Sequence, residues 1–114
     1  MTVVTTLDVN GLTAQEYRAV LDEMGVERRP DPGIYLHVAT PIDSGYRIIE
    51  IWDDKSGFDR FLQARLAPAN VAIGLERETQ ITVTPLHNFF GPRLTELPAL
   101  IGALPGAPRA GAAH

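Results

Sequence analysis

Residues 33 to 52 constrain this chain more than any other stretch. Gly33 to Thr40 (GIYLHVAT) and Tyr46 to Trp52 (YRIIEIW) are rich in β-branched and aromatic residues, and turn formers at Pro41 to Gly45 separate them. That pattern predicts an antiparallel hairpin. In a sheet with one wet face, one parity of each strand is polar. Here Ile34, Leu36 and Val38 alternate with Tyr35, His37 and Ala39, and Ile49 and Ile51 alternate with Ile48 and Trp52. Both faces therefore call for a cover. Helices of the same unit supply one; the other requires a second copy of the sheet or a segment folded back from residues 94 to 104.

The flanking sequence supplies the helices and two more strands. Thr2 to Leu7 is a β-branched run closed by the turn formers Asp8 to Gly11. Thr13 and Glu16 have capping-box spacing, Tyr17, Val20, Leu21 and Met24 form an apolar stripe, and Gly25 is a stop signal, which together predict a helix. Glu27 to Pro32 is a proline-punctuated loop. Asp53 or Asp54 caps a second helix carrying Phe58, Phe61, Leu62 and Leu66, with Pro68 expected to kink or end it and a further turn possible through Val71 and Ile73. Ile81 to Phe90 reads as a fourth strand in which Pro85 marks an edge or a bulge. The order βαββαβ predicts an α+β, ferredoxin-like domain with an antiparallel sheet over residues 1–92, pairing through that sheet into a dimeric α/β barrel. Residues 93–114 are expected to form a short amphipathic helix on Leu94, Leu97, Leu100, Ile101 and Leu104, followed by a Pro/Gly/Ala-rich tail over the last ten residues.

Several functional classes drop out on composition. The 114 residues include no cysteine, which removes disulfides, thiolate metal sites and cysteine nucleophiles. The net charge is −4 and the Arg28-Arg29 doublet is no basic stripe, so nucleic acid is not an expected partner. No apolar run approaches the roughly 20 residues that span a bilayer, and no signal-peptide pattern opens the chain; no membrane partner and a cytoplasmic location are expected. Glycines form neither a P-loop nor a dinucleotide fingerprint. The three histidines lack a metal-binding spacing. No cofactor and no metal are expected.

Few residues are left to carry chemistry. His37 lies mid-strand among apolar neighbours, and Glu50 and Trp52 lie on the facing strand. If Thr40 opposes Gly45, Tyr35 faces Glu50 and His37 faces Ile48, which gathers Tyr35, His37, Glu50 and Trp52 on one side; a slip of one residue would separate His37 from Glu50. A carboxylate beside an imidazole orients it and favours its charged form, so His37 is a candidate general base with Glu50 as orienter. The alternative is a buried histidine bonded for structure alone. His87 and Asn88 are a second polar pair, between Leu86 and Phe89, that either joins the pocket or caps an interface backbone. Trp52, Phe58, Phe61 and Tyr17 either wall an aromatic-binding cavity between helices and sheet or form plain core.

The run GIYLHVATPIDSGYRIIEIWDDKSGFDRFLQARLAP, followed by TPLHNFF, resembles the antibiotic biosynthesis monooxygenase family of the dimeric α/β barrel superfamily. The resemblance spans most of residues 2 to 90 and is most specific at Glu50-Ile51-Trp52, the acidic pair after it, and Phe58 and Phe61. It implies a ferredoxin-fold homodimer with a pocket between helices and sheet, in which Trp52 matches the family's pocket tryptophan. It also implies cofactor-independent oxidation of an aromatic or polyketide-like phenol, without metal or flavin. Other superfamily members degrade haem, cyclise polyketides or have no established activity. The haem-degrading branch uses an asparagine on the first strand and a histidine on the second helix, where this chain has Thr5 and Thr6, and Leu62 and Gln63; haem is disfavoured. On this resemblance Trp52 and Phe61 hold a ring, and Tyr35, His87 or Asn88 hydrogen-bond its oxygens. A cyclase or isomerase using the same base, or a non-catalytic ligand-binding dimer, are the competing readings.

Overall fold

The computed structural model describes residues 1–103. Its elements are β1 (Val3–Asn10), α1 (Ala14–Met24), β2 (Ile34–Ile42), β3 (Gly45–Trp52), α2 (Lys55–Phe61), a π-helical turn (Leu62–Leu66), α3 (Ala67–Ala72), β4 (Thr79–Pro85) and a 3-10 helix (Leu94–Ala103). The four strands form one sheet in the order β2-β3-β1-β4, each neighbour antiparallel. This is the ferredoxin-like α+β arrangement that the βαββαβ order predicts. The expected tail over residues 105–114 lies outside the described residues.

Local chemistry sets the helix ends. The Thr13 side chain accepts from the Glu16 N–H, the Glu16 carboxylate accepts from the Thr13 N–H, and Gly25 closes α1 at φ +67°. Asp54, not Asp53, caps α2 by accepting from the Gly57 N–H at 2.8 Å. Pro68 does not end the helix. The chain widens instead into the π turn, where the Ala67 N–H reaches back to the Leu62 carbonyl, and α3 continues with the proline in its first turn, where no N–H is required.

The hairpin differs from expectation by two residues. Ile42 opposes Gly45, and the turn is Asp43-Ser44. Pro41 is not in the turn but in β2; that strand is the sheet edge, where a missing N–H is tolerated. Gly45 has φ +150°, and a Cβ there would collide with the Val9 carbonyl oxygen, so the start of β3 requires glycine. A two-residue shift preserves parity. His37 and Glu50 stay on one face and become directly opposed. β4 stops at Pro85, short of the expected Phe90, because Pro85 opposes Val3 and β1 begins there.

Val3, Leu7, Val9 and Trp52 from the strands meet Leu12, Phe58 and Phe61 in the main core. Val20 and Leu21 of α1 pack with Ala69 of α3 in a smaller cluster. Among the described residues, no helix forms a layer on the opposite face of the sheet. After β4, Leu86, Phe89 and Leu94 border a cavity of about 360 Å³ against that face with Leu36 and Ile51. Val38 on that face is 42% exposed.

Candidate active site

The two strands that oppose His37 and Glu50 deliver a hydrogen-bonded chain to the helix-covered face. Glu50 and Trp52 are two residues apart on β3 and therefore project to the same side. The Trp52 Nε1–H donates to Glu50 Oε1 at 2.9 Å, and Glu50 Oε2 lies 2.7 Å from His37 Nδ1. His37 Nε2 lies 2.6 Å from the hydroxyl of Tyr17, on α1. Trp52 is fully buried and the Glu50 side chain is 5% exposed, against 31% for His37. A carboxylate so deep is costly unless its oxygens are bonded, and both of these are.

Donor and acceptor rules give one consistent arrangement of protons along this chain when the imidazole is neutral. The indole N–H can only donate. With Glu50 as a carboxylate, both its oxygens accept, so Nδ1 carries the histidine's proton and Nε2 carries the lone pair. Burial, reinforced by the carboxylates of Glu27 and Glu50, pushes the Tyr17 phenol well above its usual range. Tyr17 thus keeps its proton near neutral pH and donates it to Nε2. Its ring is stacked between Tyr46, 5.9 Å away with an interplanar angle of 4°, and His37, 6.0 Å away at 23°.

These groups face a cavity of about 360 Å³ between α1, the π turn and the sheet. Leu7, Ile34, Ile48, Met24, Phe61 and Leu66 make its walls apolar, and Glu27, Pro30 and Asp31 border its mouth. Phe58 and Phe61 fix the Trp52 indole at centroid distances of 6.0 and 5.3 Å. On β1, Thr5 is fully buried opposite Glu50, and its hydroxyl has no hydrogen-bond partner among the described residues.

His37, Glu50, Trp52 and Phe61 all line the cavity. Phe58, expected against the ligand, is 1% exposed and stands behind Trp52 as core. Tyr35 is a correction. The register shifts between Ile34 and Leu36, so Ile34 faces the cavity while Tyr35, 66% exposed, joins Leu36 and Ile51 on the opposite face. His87 and Asn88 are a second correction: with β4 ending at Pro85, both are exposed and neither borders the cavity. Tyr17 was legible only as part of an aromatic wall; its bond to His37 depends on how α1 crosses the sheet. A phenol tip in an otherwise aliphatic stripe was the one available signal. Among the described residues, no group of three or more His, Cys, Asp or Glu side chains is placed to hold a metal ion, and no helix is long and apolar enough to cross a membrane.

No protein-family model and no curated protein sequence matches the chain. Solved structures do. SnoaB from Streptomyces nogalater, a cofactor-independent oxygenase, is 20% identical, with a TM-score of 0.53 over 77% of this chain and 93% of that one. A protein from Deinococcus radiodurans provisionally named an antibiotic biosynthesis monooxygenase is 18% identical, with a TM-score of 0.56 over 80% and 97%. A protein of unknown function from Nitrosomonas europaea has the same TM-score at 16% identity, over 80% and 92%. The chain therefore resembles, in fold, structures that carry the antibiotic biosynthesis monooxygenase name, and at these identities the likeness is one of fold.

Proposed function

We propose that the protein is a cytoplasmic, cofactor-independent monooxygenase that acts as a homodimer on an aromatic or polyketide-like phenol. The observation that carries this reading is the Glu50–His37 pair set at the edge of an apolar, aromatic-walled cavity. An electron-rich phenol or anthrone needs little from a protein to react with oxygen. It must lose a proton, and the resulting anion must be held away from bulk water. His37 is the base for that step, and the imidazolium it becomes is stabilised by Glu50. Trp52 and Phe61 hold the ring. The carbanion form of the substrate then gives an electron pair to oxygen, and uptake of one proton yields a hydroperoxide at that carbon. Loss of water across the adjoining C–H and O–O bonds leaves a carbonyl, so one oxygen atom enters the product, the other leaves as water, and the substrate supplies all four electrons. No metal or flavin takes part.

The same base without oxygen would serve a cyclase or isomerase, and the fold does not separate the two. Purified protein supplied with an anthrone probe should consume one oxygen molecule per quinone formed. Conversion that proceeds unchanged without oxygen would replace this reading with an isomerase, and binding without conversion would leave a ligand carrier.

A further inference from the structure

Both nitrogens of His37 are already engaged, Nδ1 by Glu50 and Nε2 by Tyr17. No lone pair on the ring is left for a substrate. A ligand in the cavity can reach the base only by displacing the Tyr17 hydroxyl or by passing its proton through it. The Tyr17 ring is stacked on Tyr46 and packed against the core at the cavity wall, so displacement means breaking that stack as well as the 2.6 Å hydrogen bond. The phenol oxygen, while it donates to Nε2, still has acceptor capacity.

We infer that Tyr17 is the catalytic group that touches the substrate, relaying the substrate's proton to His37. This rests on the reading of the site as a base-driven one. The substrate O–H proton bonds to the Tyr17 oxygen as the Tyr17 proton moves to Nε2. The substrate keeps its bonding electron pair and becomes an anion, Tyr17 ends neutral and donates to that anion, and His37 becomes an imidazolium paired with Glu50. Each later protonation runs the same path in reverse. The high-lying ionisation of Tyr17 suits it to this role, because the phenol hands protons on without resting as a phenolate beside Glu50. A tyrosine that merely blocked the base would have the opposite consequence on removal.

4-Nitrophenol, whose anion absorbs visible light, reports the transfer directly, without turnover. At a pH just below the probe's own ionisation, binding to the wild-type protein should raise the anion band. Tyr17→Phe keeps the stacked ring and should bind the probe, yet lose that rise, and anthrone oxidation should fall by about 100-fold or more, the scale of a positioned proton-transfer group. 3-Fluorotyrosine in place of Tyr17 retains the hydroxyl and should retain the rise. Ionisation by Tyr17→Phe at the wild-type level, faster oxidation by it, or no ionisation by the wild-type protein would each overturn the relay. Ionisation without oxygen uptake leaves the relay standing and removes the monooxygenase reading. Far-ultraviolet circular dichroism verifies that the variant is folded, and loss of the rise in a folded His37→Ala control ties it to the same chain.

Discussion

The two faces of the sheet are built from alternate residues of the same strands and have opposite designs. On the helix side, Trp52, Glu50, His37 and Tyr17 form a polar thread in which each member is bonded to the next, enclosed by leucine, isoleucine and phenylalanine. On the other side, Leu36, Val38, Ile49 and Ile51 form an apolar surface, and Val38 stands open. The first face sets a few directed bonds beside buried apolar groups, where they are stronger than in water. The second is apolar over the hairpin, and it is the surface on which the proposed homodimer would form. In the proposed reading, chemistry and assembly fall on opposite parities of one hairpin, and a one-residue change of register would exchange them.

The contrast can be broken first at Trp52. Trp52→Ala should cost about 3–5 kcal/mol in denaturant unfolding, as for other large buried aromatics, since its indole is central to the core and holds one oxygen of Glu50. A loss below about 1 kcal/mol would mean that the helix face is looser than it looks. Val38→Asp tests the other face. Because the side chain is partly exposed in the single chain, the fold should survive, whereas a dimer burying an unpaired carboxylate should weaken by on the order of 3 kcal/mol. Sedimentation equilibrium reads this directly, and a wild-type monomer at micromolar concentration would remove the assembly role altogether.

Chemistry comes next in magnitude. His37→Ala should lower turnover of an anthrone probe by roughly 100-fold, and Glu50→Gln should cost less, since the base itself remains. Full activity in a folded His37→Ala protein would show that the thread is structural. The smallest effect is expected at Tyr35. With its side chain on the open face, Tyr35→Phe should leave turnover within about twofold of wild type, the scale of a surface substitution remote from any special contact. A large loss would return Tyr35 to the site.

Much of this was legible before any coordinates. Periodicity located all four strands and both main helices because each signal is local: Thr13 three residues before Glu16, or apolar Tyr17, Val20, Leu21 and Met24 on one stripe. Glu50 and Trp52 could be placed together by their spacing alone. What escaped is what depends on exceptions or on distance. Pro41 reads as a turn residue, and only its edge position permits it in a strand. The irregularity at Tyr35 leaves no mark on the alternation. The end of β4, which strands His87 and Asn88 outside the sheet, is dictated by where β1 begins and not by the residues of β4 themselves. Tyr17 meets His37 only because α1 crosses the sheet where it does.

The sheet order also has a bearing on how the chain reaches this state. β1 is synthesised before the other three strands, yet it lies in the interior of the sheet, with Val3 paired to Trp52 on one side and to Pro85 on the other. Its two neighbours arrive long after it, and closing loops of that length must precede any reward from pairing. Until β4 has been synthesised, the backbone of β1 has an open edge and Val3, Leu7 and Val9 lack their full cover. The nascent chain therefore holds a sticky strand until β4 has been made, and completion of the sheet waits for that last strand.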